Sequence, residues 1–228
     1  MVKRFFDVAA ALVALLVLAP IFLLAVIGIL LTSKGPVIYR AKRAGRKGEI
    51  FIMHKFRTMH IRPAHGSVIT GANDSRIFFV GKVLRALKID ELPQLWDVLL
   101  GKMSVVGPRP EDPQIVEKFY DKNGRETLEV APGLASPGSI YNYTHGDNYL
   151  DDNDPEGAYV KGLLPIKLAL EQVYVRRQSF GYDMVIIWRT VVTIVQIATG
   201  KKQFSDPPEM AEARRILEST EKGAEPRV

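Results

Sequence analysis

VAAALVALLVLAPIFLLAVIGILL, residues 8–31, runs for 24 positions without a charge. As a straight helix it would reach about 36 Å at ~1.5 Å per residue, enough to cross a bilayer core of roughly 30 Å. It is longer than the apolar region of a secretory leader, about 7 to 15 residues. An ordinary transmembrane span is the main competitor, and two features count against it. Pro20 stands near the middle, where it cannot donate to the Leu16 carbonyl and its ring crowds that turn, although neighbouring groups can repair such a break in a spanning helix. Lys3 and Arg4 precede the run, while Lys34, Arg40, Lys42, Arg43, Arg46 and Lys47 follow it. Positive charge favours the cytoplasmic side of a membrane, and a single span cannot put both ends there. A helix that enters, bends at Ala19-Pro20 and returns to the same face can. The sequence therefore predicts a re-entrant membrane hairpin over residues 1–34.

The remainder is polar, so the mean hydropathy of +0.03 averages two unlike parts. With 228 residues the chain suits one catalytic domain with a sizeable core. The net charge of +6 favours partners that carry phosphate, whether nucleotide, anionic lipid or nucleic acid. Nucleic acid is disfavoured, because the positive charge clusters beside the membrane segment and no recognition motif is present. The absence of cysteine excludes disulfides, thiolate zinc sites and a thiol nucleophile. The four histidines, His54, His60, His65 and His145, show no metal-binding spacing.

Val37 to Tyr39 and Ile50 to Phe56 read as short strands around Gly45-Arg46-Lys47-Gly48, a small basic β-hairpin. Phe79 to Leu87 has helical periodicity, and a second helix is expected from Pro93 through Leu100, stopping at Gly101. From Pro132 to Pro155 the chain is rich in Gly, Pro, Asn and Asp and reads as a long loop. Its Asp147, Asp151, Asp152 and Asp154 lack the spacing of a calcium loop, so they read as a solvated acidic surface. Pro165 to Gln178 reads as an amphipathic helix, and Asp183 to Thr199 as an apolar one interrupted by Arg189. A midspan arginine is costly, which points to an interfacial helix or one packed on the domain. The expected fold is α+β and mostly helical: an N-terminal re-entrant membrane helix, a small β-hairpin and interfacial amphipathic helices. The catalytic domain would cover 35–204 on the cytoplasmic face, and 205–228 would form a polar, peripheral tail.

Asp90-Glu91 stands just before Pro93, and proline favours the first turn of a helix. The positive end of that helix would stabilise both carboxylates in ionised form. An ionised aspartate is a competent nucleophile toward phosphorus, and Glu91, pointing elsewhere, could hold Mg2+, which binds one or two carboxylates together with substrate phosphates. An acidic pair before a helix is also an ordinary capping arrangement, and alone it would be read that way. Four cations that could converge on it change the weighing. Lys55 and Arg57 leave the second strand, Arg85 lies five residues before Asp90, and Arg109 is held between Pro108 and Pro110. A rigid guanidinium fork suits phosphate oxygens, and phosphoryl transfer needs little beyond positioning and charge neutralisation.

These residues resemble the small monotopic phosphoglycosyl transferases, also called bacterial sugar transferases, from about Lys3 to Thr190. The motifs are Lys3-Arg4-Phe5-Phe6-Asp7 before the hairpin, Lys55-Phe56-Arg57-Thr58-Met59, the run from Leu84 to Pro110, Pro132-Gly133, Tyr174-Val175, and the segment from Ser179 to Thr190 that contains Asp183. The resemblance implies a re-entrant helix at the bacterial inner membrane and a Mg2+-dependent ping-pong reaction on the cytoplasmic face. Asp90 would attack the β-phosphate of a UDP-sugar, releasing UMP, and undecaprenyl phosphate or a similar polyprenol phosphate would then take the phosphosugar. Glu91 would support Mg2+, with Lys55, Arg57, Arg85 and Arg109 as the substrate-binding cations around it. Glu171 stands where many members carry an aspartate, and joins Asp90 and Glu91 in the implied metal set. Ala19-Pro20 replaces the common Ser-Pro, leaving Pro20 alone to make the bend.

Two other functions compete. A Mg2+-dependent lipid diphosphate phosphohydrolase would use the same residues on water, and a basic scaffold would bind anionic lipid without chemistry. The expected partners are a UDP-sugar, a polyprenol phosphate and the phospholipid membrane, and a homo-oligomer is compatible with the sequence.

Overall fold

A computed structural model of the chain describes residues 2–60, 74–149, 151 and 154–224, with side chains as far as residue 220. His65 and Asp152 of the sequence reading lie outside the described residues. The apolar run forms two helices, α1 (Val2–Val17) and α2 (Ala19–Thr32), which meet at a bend of 61°. Pro20 lies in the first turn of α2, where a missing N–H costs no helical bond. Leu18 N donates to Ala14 O and Phe22 N to Leu18 O, at 2.9 and 3.0 Å, which carries the chain through the bend. One side of the pair packs on the rest of the protein through Ala11, Ala25 and Ile29. Leu12, Val13, Leu16, Leu23, Leu24 and Leu31 stand exposed on the other.

β1 (Ile38–Ala44) and β2 (Ile50–Phe56) pair antiparallel, from Ile38 opposite Phe56 to Ala44 opposite Ile50. The first strand runs five residues beyond the expected Tyr39. Its charged residues Arg40 and Lys42 occupy exposed positions, while Ala41 and Ala44 are buried, so only the small residues enter the core. α3 (Phe79–Ala86) leads through a 3-10 turn (Ile89–Glu91) into α4 (Gln94–Leu99). α4 ends at Gly101, whose φ of +79° is the left-handed conformation that closes helices. Arg4 donates to the carbonyls of Val98 and Leu99 in the last turn of α4, and so fixes the start of α1 to the end of α4.

β3 (Ser104–Val106) and β4 (Gly133–Ala135) form a second, parallel pair, with α5 (Pro113–Phe119) between them in sequence. The pairing brings Gly107 against Gly133: a Cβ on Gly133 would lie 2.1 Å from the Gly107 nitrogen, so neither position admits a side chain. The expected long loop from Pro132 to Pro155 is therefore a strand followed by a helix, α6 (Pro137–His145). Pro137 occupies the first turn of α6 and Ser136 caps it, its Oγ accepting from Ser139 N at 2.9 Å. Glycine and proline here mark a close approach and a helix start rather than irregular chain.

α7 (Pro155–Ala158) continues through a π-helical turn (Tyr159–Leu163) into α8 (Leu164–Arg177). The expected amphipathic character of α8 is not found. Lys167, Leu168, Ala169, Leu170, Glu171, Gln172, Val173 and Tyr174 are all buried, because α6 covers one side and α10 (Met210–Ala224) another. Met210, Ala213 and Ile216 enter the same core, so the tail expected to be peripheral is held by packing. α9 (Phe180–Ala198) is capped by Ser179, whose Oγ accepts from Tyr182 N. Its Trp188, Val191 and Val195 are exposed, and Arg189 is paired with Glu209 rather than facing apolar surroundings. The described chain is mostly helical with two small two-stranded sheets.

Candidate active site

The 3-10 turn that carries Asp90 and Glu91 lies against β2 and in front of α4. His54, next to Lys55 on β2, donates its backbone N–H to Asp97 Oδ2 at 2.8 Å, and its Nδ1 lies 2.8 Å from Asp97 Oδ1. Asp97 is fully buried in α4, so this pair sets where β2 presents Lys55. Lys55 Nζ then lies 3.4 Å from Glu91 Oε1. Arg109, which follows the Gly107-Pro108 turn out of β3, grips Glu91 with both terminal nitrogens, Nη1 to Oε2 at 3.0 Å and Nη2 to Oε1. Tyr143 of α6 completes the shell, its hydroxyl donating to Glu91 Oε2 at 3.0 Å and accepting from Arg109 Nη1 at 3.2 Å.

Each Glu91 oxygen thus accepts two donors. Burial opposes ionisation of Glu91, but the charges of Arg109 and Lys55, the Arg109 hydrogen bond and the charge of Lys88 outweigh it and hold the carboxyl well below its usual range. Asp90 has the opposite balance. It is 8% exposed, and its Oδ1 is buried with no hydrogen-bond partner among the described residues. Burial and the charge of Glu91 push its carboxyl up, against the pull of Lys55, Arg85 and Lys88. The helix end expected to favour both carboxylates does not set the balance at Asp90. α4 has only six residues, and desolvation dominates at Asp90. Neighbouring carboxylates driven in opposite directions can take different chemical roles.

Lys55, Arg85 and Arg109 therefore surround the pair as the sequence suggests, Arg85 through its charge on Asp90. Arg57 does not join them. It is buried 24 positions from its partner Ser33, donating to Ser33 Oγ at 2.6 Å, Ser33 O at 2.7 Å and Pro36 O at 2.6 Å, and it stacks on Phe78. β2 ends at Phe56, so the strand alternation that would have put Arg57 beside Lys55 stops one residue early. Arg57 instead clamps the end of α2.

Glu171 is also apart from the pair. Its Oε1 accepts from Ser136 Oγ at 2.7 Å and from the Arg109 backbone N–H at 3.2 Å, so it touches Arg109 from behind. Among the described residues no three carboxylate or histidine side chains gather around a point that could hold a metal ion. Burial pushes the Glu171 carboxyl up to about 7, against the hydrogen bonds from Ser136 and the Arg109 amide and the charges of Lys167 and Arg109.

The N-terminal motif residues act as ties. Lys3 reaches Asp183 of α9 and Tyr174 of α8, and Asp7 accepts from Ser104 Oγ at 2.9 Å and Val105 N at 2.9 Å. Pro20 remains at the bend. Two site residues, Tyr143 and Lys88, escaped the sequence reading. Tyr143 was hidden in the segment read as loop, although Ser136-Pro137 is a helix-start signal. Lys88 lies inside the motif, with its Nζ 4.1 Å from the centre of the Tyr143 ring.

Residues 1–197 match the family model described as bacterial sugar transferase. The UDP-N-acetylgalactosamine-undecaprenyl-phosphate N-acetylgalactosaminephosphotransferase of Aeromonas hydrophila is 34% identical over 197 residues, covering 85% of this chain and 44% of that protein. The UDP-glucose:undecaprenyl-phosphate glucose-1-phosphate transferase of Xanthomonas campestris is 35% identical over 198 residues, 85% of this chain and 38% of that one. The exopolysaccharide production protein ExoY of Rhizobium meliloti is 35% identical over 210 residues and is matched over 85% of both chains. The chain thus spans less than half the length of the two relatives named as transferases.

Proposed function

Because the chain belongs to the bacterial sugar transferase family, we propose that it transfers a phosphosugar from a UDP-sugar to a polyprenol phosphate, through a covalent intermediate on Asp90. The observation that carries this reading is the contrast within the pair: Asp90 keeps a buried oxygen without a partner among the described residues, while Glu91 is saturated by donors. A desolvated carboxylate oxygen is more basic, and so a stronger nucleophile, than one held by cations.

An Asp90 oxygen attacks the β-phosphorus of the UDP-sugar. The bond from that phosphorus to the bridging oxygen breaks, and UMP leaves with the electron pair. The phosphate oxygen of the polyprenol then attacks the same phosphorus, and Asp90 leaves as a carboxylate, giving polyprenyl diphosphate sugar. No proton need move in either step. Glu91 keeps Lys55 and Arg109 in place, and these cations face the negative charge that the diphosphate brings.

Mg2+ fits this site through Asp90, whose free Oδ1 suits a cation that takes one carboxylate and several phosphate oxygens. Glu91 would have to release one of its donors to become a ligand, and Glu171 is engaged by Ser136 and Arg109. When bound, Mg2+ would supply further positive charge to the diphosphate.

Residues 1–34 serve as a re-entrant hairpin in the cytoplasmic leaflet of the bacterial inner membrane, with the domain that follows, α10 included, on its cytoplasmic face. The exposed apolar side of α1 and α2 supports this, and so do Lys3 and Arg4 tied to the same domain that follows α2. α9 is long and apolar enough to span, as is the bent pair. Its exposed Trp188 and its paired Arg189 favour a helix lying in the interface.

Incubation with a panel of UDP-sugars and Mg2+ should release UMP and leave a phosphosugar adduct on Asp90, and added undecaprenyl phosphate should discharge the adduct and sustain UMP release, both lost in Asp90→Asn. Full activity of Asp90→Asn would remove the nucleophile assignment. Equal turnover with water in place of the polyprenol would make the protein a phosphohydrolase.

A further inference from the structure

Lys55 and Arg109 are both held by Glu91, but Lys88 is not. Its Nζ makes neither a hydrogen bond nor an ion pair among the described residues, and rests on the face of Tyr143 at 4.1 Å from the ring centre. That contact orients the ammonium while leaving N–H donors for a ligand. The backbone adds a second observation. Lys88 has φ 57° and ψ 18°, the left-handed conformation, which glycine or asparagine adopts more readily than lysine. This strain sits two residues before Asp90, and strained backbone persists where surrounding structure over-determines it. The hydrogen bonds Lys88 N to Arg85 O and Glu91 N to Lys88 O, both 3.2 Å, make Lys88 the corner on which the acidic pair turns. Asp90 and Glu91 both act on its charge.

We propose that Lys88 is a further catalytic residue, donating to non-bridging oxygens of the phosphoryl group that passes to and from Asp90. The inference rests on the transferase reading above and adds the cation that contacts the transferred group itself, where Lys55 and Arg109 are anchored through Glu91. Tyr143 is then bifunctional: its hydroxyl steadies Glu91 and its ring steadies Lys88.

The test is UMP release from a UDP-sugar that the wild type turns over, measured alongside thermal unfolding of Lys88→Asn and Lys88→Arg. Asparagine relieves the left-handed corner and removes the charge. Its unfolding midpoint should equal or exceed that of the wild type while the rate of UMP release falls about 100-fold, the scale for losing one preorganised donor. The loss should fall on kcat more than on KM, and Lys88→Arg should recover part of it. Lys88→Asn at the wild-type rate would overturn the inference while leaving the transferase reading intact. A lowered midpoint in Lys88→Asn with no recovery in Lys88→Arg would also overturn it, by making Lys88 structural. A wild type that releases no UMP from any UDP-sugar would instead refute the transferase reading.

Discussion

Replacing Glu171 by glutamine should make the protein more stable at pH 8 and slightly less stable at pH 4.5. The folded protein holds the Glu171 carboxyl at about 7, against 4.5 as its ordinary value. Between those values the folded state binds a proton that the unfolded state has lost, so stability falls as pH rises through that window and levels off above it. At about 1.36 kcal/mol per pKa unit the loss is about 3 kcal/mol by pH 8. Glutamine does not ionise, so it avoids this loss. Its Oε1 can keep the Ser136 and Arg109 hydrogen bonds, but its Nε2 would occupy the place of Oε2, which is buried without a partner among the described residues, at a cost of about 1 kcal/mol. Glu171→Gln should therefore gain about 2 kcal/mol at pH 8, lose about 1 kcal/mol at pH 4.5, and cross the wild type between. Thermal unfolding in detergent micelles from pH 4.5 to 8 reads this as a midpoint difference that changes sign, roughly 2–4 °C per kcal/mol for a chain of this size. A difference that stays constant across the range would refute the reasoning. Since Glu171 touches Arg109 only at the backbone, the Mg2+ concentration for half-maximal activity should not move in this variant.

Glu111 should show the opposite pH dependence. Burial disfavours its charge, but the charge of Lys167 and hydrogen bonds from Lys167 and Tyr159 bring its carboxyl down to about 2. Its contribution is complete above pH 4.5 and is lost as pH falls through about 2, so Lys167→Met, which strands a buried carboxylate, should cost about 3–5 kcal/mol at neutral pH and flatten the acid limb of the unfolding curve. Asp7→Ala removes the acceptor for Ser104 Oγ and leaves the Val105 N–H unpaired under α1. It should cost about 2–4 kcal/mol in unfolding measurements, with Asp7→Asn costing less; an unchanged midpoint in Asp7→Ala would show that the hairpin is not tied to the domain through this residue.

The parts of this protein that the sequence revealed are those whose signal is contiguous. Pro20 and the charges flanking residues 8–31 foretold two helices meeting near Ala19, and Asp90-Glu91 with Arg85 and Arg109 foretold a crowded anionic pair, because each argument needed only residues close in the chain. Averages over a segment misled. Glycine and proline between Pro132 and Pro155 suggested loop, yet Gly133 is required by the approach of Gly107 and Pro137 by the start of α6, and Tyr143 entered the site on that helix. The polar composition after Ser205 suggested a free tail, yet Met210, Ala213 and Ile216 repeat at helical spacing and fill the core beside α8. Arg57 shows the converse failure. It was expected among the cations around the acidic pair, but its fate was decided by one position of strand end, which turned it toward Ser33. Glu171 follows the same logic at longer range. A carboxylate 81 positions from Asp90 could have joined it at a metal, but Glu171 Oε1 is spent on the Ser136 hydroxyl and on the backbone N–H of Arg109, the residue whose guanidinium holds Glu91.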